Sequence, residues 1–179
     1  MKKVQFNAQC GQLAATLAGK KTQFHNVETR LVRQLDRDFT SQKVVNSQWI
    51  EARQILVVQL DNGEQVEYKP DYAIDEVVAI EGADNLCSIR ITGMRVERLC
   101  NPTMDDLWAE GFIDLWIDGC KYYAYLIEEN KLTLNRKLTM PFISSQLAWN
   151  NLLYRTLDPM MVVCNPYSVV YQFELIKNV

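Results

Sequence analysis

The chain has 179 residues, of which 48% are hydrophobic and 23% charged, and its formal net charge is −3. This length and composition predict a globular chain with a real core and exclude a disordered polar tail. No apolar run approaches the ~20 residues of a membrane helix, and no apolar stretch follows the N-terminal lysines as in a secretory signal. We therefore expect a cytoplasmic protein with no membrane partner.

Charge is distributed unevenly along the chain. Residues 1–60 carry nine Lys and Arg against four Asp and Glu, whereas residues 61–179 carry ten against eighteen. This balance predicts at most a local basic site, or a solvated basic face, and not a polyanion binder that is basic throughout. The five cysteines show no C-x-x-C spacing and are expected to be reduced thiols. With one histidine in the chain we expect no metal and no cofactor.

The first half of the chain alternates short elements with clear turn signals. Asn7 suits the N-cap of a helix, and Gly19 suits a left-handed residue at its end. Asp61-Asn62-Gly63 is a strong hairpin turn. Residues 26–48 are polar and receive no assignment. The predicted elements are a strand over Lys3–Phe6, a helix over Ala8–Ala18 and strands over Trp49–Leu60, Glu64–Lys69, Val77–Glu81 and Ser88–Leu99, the last with a bulge at Gly93.

The second half begins with a short helix whose cap is Thr103, with Asp106 in the capping-box position and Gly111 at the end. Further predicted elements are a hairpin turn over residues 117–120, a strand over Lys121–Ile127, a loop over Glu128–Thr139, a helix over Pro141–Leu153 and a closing strand over Ser168–Ile176. This order predicts a single α+β domain over residues 1–179, built as a small mixed β-barrel with two or three short helices.

The run Gly19-Lys20-Lys21-Thr22-Gln23 stands out because it places two ammonium groups at the end of a predicted helix. It lacks the spacing of a phosphate-binding P-loop. The helix dipole favours cations at that end, so capping alone would account for both lysines.

Four other segments follow this run in a fixed order. They are Pro70, Tyr72, Asp75 and Glu81; Arg95-Val96-Glu97-Arg98-Leu99; Asp105 to Phe112, which contains Ala109-Glu110-Gly111; and Asn165-Pro166-Tyr167 leading to Phe173-Glu174. Together the ordered set resembles the ASCH family, domains of PUA-like β-barrel fold, and in particular its phage and prophage branch. Residues 26–60 and 113–140 match poorly and are read as elaborations.

The resemblance implies a cleft beside the barrel that binds RNA, a nucleotide or a modified nucleobase. Its lining would include Lys20, Lys21, Thr22, Phe24, His25 and Glu110. Phe24 stands where the family has a threonine, and we expect it to be exposed as a face for base stacking. His25 stands where the family has an arginine; it is read as an acid or base, or as a polar loop residue.

A small branch of the family hydrolyses N4-acetylcytidine, with the motif lysine as nucleophile or base and a helix glutamate moving protons. Carried over by position, these are Lys21 and Glu110, which makes an amidohydrolase of N4-acylated cytidine an alternative function. Such a lysine needs a lowered pKa. An ordinary ion pair between loop and helix is an equally valid reading of Lys21 and Glu110. A third alternative is a phage-derived protein-interaction module with a vestigial cleft, which leaves a protein partner open.

Overall fold

The computed structural model describes residues 2–6, 12–35, 43–83, 87–130, 135–138 and 140–177. Its strands are β1 (Lys3–Val4), β2 (Gln23–Asn26), β3 (Val44–Ile50), β4 (Ile55–Leu60), β5 (Gln65–Tyr68), β6 (Val77–Ile80), β7 (Cys87–Arg98), β8 (Phe112–Ile117), β9 (Cys120–Asn130), β10 (Asn135–Leu138) and β11 (Tyr167–Lys177). Its helices are α1 (Gln12–Leu17), α2 (Thr29–Leu35), α3 (Met104–Ala109), α4 (Ser145–Thr156) and α5 (Pro159–Cys164), with a 3₁₀ turn over Glu51–Arg53. The predicted α+β class is confirmed.

The strands form three hydrogen-bonded sheets. The largest has the order β1-β6-β7-β11-β2, and the two others are β3-β4-β5 and β10-β9-β8. In the described part of the chain these sheets are not joined into one closed ring of strands, so the small barrel is not confirmed. The described helices also outnumber the two or three that were expected.

Strand β11 pairs in antiparallel fashion with both β2 and β7 and therefore joins these two strands in the five-stranded sheet. Val170 is opposite His25 on one side and opposite Arg95 on the other. Partner residues point to the same face of a sheet, and neighbours along a strand point to opposite faces. One face therefore carries Gln23, His25, Arg95 and Glu97, and the opposite face carries Phe24, Val96, Val169 and Tyr171.

Two hydrophobic cores flank these faces. The first lies between the five-stranded sheet and the β3-β4-β5 sheet, with α2 inserted through Leu31 and Leu35. The second joins α3, the β8-β9 hairpin, α4 and α5; Trp149 of α4 is its largest fully buried side chain. The candidate site lies where the two cores meet.

Several local predictions are confirmed. Gly19 is left-handed at φ 68° and follows α1, and Asp61-Asn62-Gly63 connects β4 to β5. The register between β7 and β11 shifts next to Gly93, as a bulge requires. Thr103 and Asp106 form the complete capping box of α3.

Residues 26–48, which received no assignment, contain α2 and the start of β3. Other boundaries were wrong. The strand predicted over Trp49–Leu60 is divided by the 3₁₀ turn, at which Gln54 has φ 50°. The predicted loop over Glu128–Thr139 instead contains the end of β9 and all of β10. The described part of the first helix is α1, and its predicted cap Asn7 lies outside the described residues.

The helix predicted from Pro141 begins four residues later. Phe142 exchanges two backbone hydrogen bonds of 2.9 Å with Tyr123, which holds this segment extended. Ser144 is the actual cap, and its hydroxyl accepts a 3.2 Å hydrogen bond from the amide of Leu147. Helix α5 was not predicted.

Gly111 follows α3, and replacing it tests how closely this end of the helix packs against Ala15 and Lys21. Its φ is 94°, and an added Cβ would lie 3.0 Å from the Cβ of Ala15 and 3.5 Å from that of Lys21. Gly119 has φ 78° with nothing within 4 Å, so it carries the backbone penalty without the steric one. We expect Gly119→Ala to lower the free energy of unfolding by about 1 kcal/mol and Gly111→Ala by about 2–3 kcal/mol. Urea denaturation of both variants measures the difference, and equal losses would contradict this packing.

Candidate functional site

The centre of the site is a buried ion pair between Lys21 and Glu110. The Lys21 ammonium contacts Glu110 Oε2, and both side chains are almost fully excluded from solvent. Lys21 precedes β2. The amide of the next residue, Thr22, donates a 2.6 Å hydrogen bond to the carbonyl of Ala109 at the end of α3. This bond sets the loop against the helix end and brings the two charges together although 89 residues separate them.

His25 continues the pair toward the sheet. Its Nδ1 lies 2.7 Å from Glu110 Oε1, and its Nε2 lies 2.8 Å from Glu97 Oε1. Carboxylates only accept hydrogen bonds, so both ring nitrogens carry a proton and His25 is an imidazolium. The ring also packs on Trp149, with centroids 5.0 Å apart.

The series ends at the start of α3. Glu97 Oε2 accepts a 2.9 Å hydrogen bond from Arg95 Nε, and Arg95 Nη2 donates to Asp106 Oδ1. Asp106 Oδ2 also accepts from the amide and hydroxyl of Thr103, at 2.8 and 2.6 Å. The whole alternating series, which we call the charge network, consists of Lys21, Glu110, His25, Glu97, Arg95 and Asp106. It contains three cations and three carboxylates and is therefore neutral.

Burial and neighbouring charges act in opposite directions on these groups. Burial lowers the pKa of Lys21, although Glu110 opposes that effect. Burial alone would raise the pKa of Glu110, but the charges of Lys21 and His25 lower it overall, so the carboxylate is ionised. Burial alone would lower the pKa of His25, but its hydrogen bonds to Glu110 and Glu97 raise it overall.

A pocket of about 280 Å³ opens beside this network. We call it the His25 pocket. Its floor and walls are the buried or nearly buried Phe6, Phe24, His25, Leu99, Glu110, Trp149, Leu152 and Leu153, and its rim is the more exposed Gln5, Gln12, Thr156 and Leu157. The pocket thus combines aromatic and aliphatic walls with polar groups, among them one ionised carboxylate on its floor.

The structure brings together only part of the predicted lining. Phe24, His25 and Glu110 line the pocket, whereas Lys21 contacts Glu110 but does not line it. Lys20 and Thr22 are exposed and do not line the pocket. The two lysines of the motif therefore have different environments, one at the surface and one in the interior.

The expectation for Phe24 was wrong. Its side chain is 8% exposed, and its ring stacks on Tyr171 at 5.2 Å and meets the edge of Phe6 at 5.7 Å. The cause is the two-residue period of β2, which turns Phe24 into the core and His25 to the opposite face. Only part of the ring reaches the pocket wall, so Phe24 is not an exposed stacking face.

Sequence reasoning missed most of the residues that support the site. Glu97, Arg95 and Asp106 lie in segments that carried the resemblance, but no role followed from it. Their signals are local. Arg95 and Glu97 alternate with the buried Val96, which predicts that both charged side chains lie on the same face of the strand. Asp106 occupies the capping-box position of α3. No sequence signal identifies Trp149, which reaches the pocket from another element.

Among the described residues, no helix is long and apolar enough to cross a membrane. No group of three or more His, Cys, Asp or Glu side chains in this part of the chain is placed to hold a metal ion.

His25 gives the site a measurable pH dependence. Since its pKa is higher in the folded chain than the ordinary 6.5, the stability from its protonation is complete below about pH 6.5 and is lost as the pH rises through the folded value. Each unit of increase corresponds to about 1.4 kcal/mol. As the chain has one histidine, a single imidazole titration by ¹⁵N NMR is unambiguous, and we expect its midpoint above 6.5. Urea unfolding should show a loss of stability at alkaline pH in the native chain and not in the His25→Gln variant. A midpoint below 6.5 would contradict the imidazolium assignment.

Comparisons with family models, with curated proteins and with solved structures gave no match to this chain.

Proposed function

We propose that the chain binds a nucleobase or nucleoside in the His25 pocket. The observation that carries the proposal is a small pocket with aromatic and aliphatic side chains in its walls and a single ionised carboxylate, Glu110, on its floor. At about 280 Å³ the pocket is just below the range of about 300–1,000 Å³ that is typical of small-molecule sites. A base has apolar faces and a polar edge, which matches aromatic and aliphatic walls beside the polar floor of Glu110 and His25.

Glu110 favours a base with amino or ring N–H groups. One oxygen binds Lys21 and the other binds His25, but an ionised carboxylate has about four acceptor positions, so capacity remains for a ligand. Cytosine, adenine and guanine present such donors, and a carboxylate accepts well from the cytosine amino group. The amides of Gln5 and Gln12 at the rim add both donors and acceptors.

Charge favours a neutral ligand over a phosphorylated one. Among the described residues that line the pocket, His25 is the one cation, and two carboxylates already flank it. Lys20 does not line the pocket. A phosphate group would therefore meet no unneutralised cation there, so a nucleoside or a base extruded from a chain suits the pocket better than a free nucleotide.

The proposal agrees with what the resemblance to ASCH domains implies. Membership of that family, the small barrel, a cytoplasmic location and the single-domain organisation stay predictions, and so does the interaction-module alternative.

A binding experiment with a rim variant tests the proposal. Thr156 lies at the rim on α4, and Tyr154 on the same helix is half exposed and does not line the pocket. We expect cytidine or another amino-bearing nucleoside to bind with a micromolar to millimolar Kd. We expect Thr156→Trp to weaken binding at least tenfold by filling the rim, and Tyr154→Trp to change it less than twofold. Calorimetry gives the Kd, and the imidazole resonance of His25 reports contact with the floor. If no nucleoside or base shifts that resonance, the proposal is wrong.

Hydrolysis of N4-acylated cytidine is the second candidate, and the contact between Lys21 and Glu110 favours it. Burial lowers the pKa of Lys21, as a basic or nucleophilic lysine requires. However, the Lys21 side chain is 0% exposed and does not line the pocket. Its contact with Glu110, which does line the pocket, is the route by which Lys21 would exchange a proton with a bound ligand.

Chromatography of N4-acetylcytidine incubated with the protein separates binding from hydrolysis. Because Lys21 does not line the pocket and Phe24 stands where the family has a threonine, we expect binding without release of cytidine. Release that Lys21→Met abolishes and the matched surface variant Lys20→Met leaves intact would instead establish the hydrolase.

A further inference from the structure

Strand β8 has an open edge. It pairs with β9 on one side, and no other described strand pairs with its opposite side. Native proteins usually protect such an edge with lysine, proline or a bulge, because its backbone amides and carbonyls pair readily with another strand. Residues 112–117 contain no lysine and no proline, and their register with β9 is regular. The edge is therefore suited to pairing.

The backbone of Tyr123 shows which groups of β8 point to the open edge. Tyr123 exchanges two 2.9 Å backbone hydrogen bonds with Phe142, and Asp114 is directly opposite Tyr123 in β8. Because both backbone groups of Tyr123 are used with Phe142, the pair that it forms with Asp114 is not hydrogen-bonded. The amide and carbonyl of Asp114 therefore point away from β9. Every second residue repeats this orientation, so those of Trp116 do the same.

The end of β8 nearest the hairpin turn also exposes large apolar side chains. Trp116 is 70% exposed and Ile117 is 41% exposed. Trp108 of α3 is 44% exposed, and its Nε1 donates a 3.3 Å hydrogen bond to Asp114 Oδ1. Asp114 and Trp116 share one face of the strand, so Trp108 lies over that face. The open backbone edge and an exposed apolar patch thus coincide, which is typical of an interaction surface.

We propose that two copies of this chain associate by antiparallel pairing of their β8 edges. The pairing joins two hairpins into one continuous sheet, with a two-fold axis perpendicular to the sheet beside Leu115. Asp114 of each copy is then opposite Trp116 of the other, and these two residues exchange their outward amides and carbonyls. Ile113 is opposite Ile117 of the second copy, and the two Leu115 side chains meet at the axis.

Charge selects this register over its neighbours. Centring the pair on Asp114 would place the two Asp114 carboxylates directly opposite each other. Centring it on Trp116 would place Asp114 opposite Asp118 of the second copy. Like charges that are directly opposite destabilise a sheet. Centring on Leu115 instead places an indole ring opposite each Asp114 carboxylate.

A second copy fits the edge better than an unrelated extended peptide. Strand β8 of a second copy is already ordered in its own hairpin, so binding does not have to order a flexible chain. Pairing covers both open edges at once. It also ends at two copies, because β10 and Phe142 already occupy the other side of β9. A peptide strand would leave a free edge of its own.

The dimer and nucleoside binding are separate properties, since none of residues 112–117 lines the His25 pocket. One pair of six-residue strands is at the low end of interface sizes, about 1,200 Å² or less. We therefore expect a weak dimer with a Kd of about 10–500 µM.

Sedimentation velocity over about 5–1,000 µM protein measures this association. Trp116→Glu places a second carboxylate opposite Asp114, and we expect it to weaken the dimer at least about tenfold. Trp116→Lys places an ammonium there and should keep the Kd within about threefold of the native value. Tyr154→Glu makes the same change at a half-exposed aromatic residue on α4 and should alter the Kd less than about twofold.

Amide hydrogen exchange followed by NMR locates the contact in the native chain, so it does not depend on a variant that folds. The amides of Ile113 and Leu115 point to β9 and should be protected at every concentration. The amides of Asp114 and Trp116 should exchange rapidly in dilute protein and at least about fivefold more slowly in concentrated protein.

Disulfide trapping tests the register. Opposite residues of a pair that is not hydrogen-bonded have Cα atoms about 4.5 Å apart, within the range of about 4.4–6.8 Å that a disulfide spans. We expect Leu115→Cys to give a covalent dimer under mild oxidation. Ile117→Cys should give no more than the native chain, which has its own cysteines, because the two positions 117 would lie about 13 Å apart.

The proposal is overturned if the native chain is monomeric over the whole concentration range, or if it forms assemblies larger than two. It is also overturned if Trp116→Glu and Tyr154→Glu weaken association equally, if the amides of Asp114 and Trp116 gain no protection, or if Ile117→Cys crosslinks as readily as Leu115→Cys.

Discussion

The arrangement of the site depends on one constraint: charges removed from water must be neutralised by other charges within hydrogen-bond distance. Lys21 and Glu110 are both excluded from solvent, and each would be strongly unfavourable alone. Glu110 is shared with His25, His25 with Glu97, and the series continues to Asp106 at the start of α3. Both ends of that helix are thereby fixed to the five-stranded sheet. Removing Glu110 would leave the buried Lys21 without its carboxylate, which costs about 3–5 kcal/mol in comparable cases.

The same constraint explains where the His25 pocket lies. Strand alternation puts the charge network on one face of the sheet and the aromatic core on the other, so polar and apolar packing meet at the sheet edge formed by β2. The second core covers the polar face through Trp149, which packs on the ring of His25. Glu110 therefore has two roles. It completes the network, and it is the carboxylate that the network holds in place at the floor of the His25 pocket.

The basic residues of the first third of the chain lie in two different environments. Lys21 is buried inside the charge network, where the charges of three cations and three carboxylates cancel. Arg30 and Arg33 on α2 meet Lys69 at the surface, where no described carboxylate pairs with them. A neutral interior site and a set of exposed cations thus arise from neighbouring segments, because burial demands neutralisation and exposure to solvent does not.

Local chemistry in the sequence determined the turns, the capping box of α3, the bulge beside Gly93 and the α+β class, because these depend on residues close together in the chain. The order of the motifs also identified Lys21 and Glu110 as partners. Only the tertiary structure decided what surrounds them. Whether residues 23–26 formed a loop or a strand could not be read locally, and that choice turned Phe24 into the core. The partners of His25 come from positions 72 and 85 residues away, and Trp149 comes from α4. Such contacts are set by how sheets and helices pack, which short-range sequence patterns do not specify.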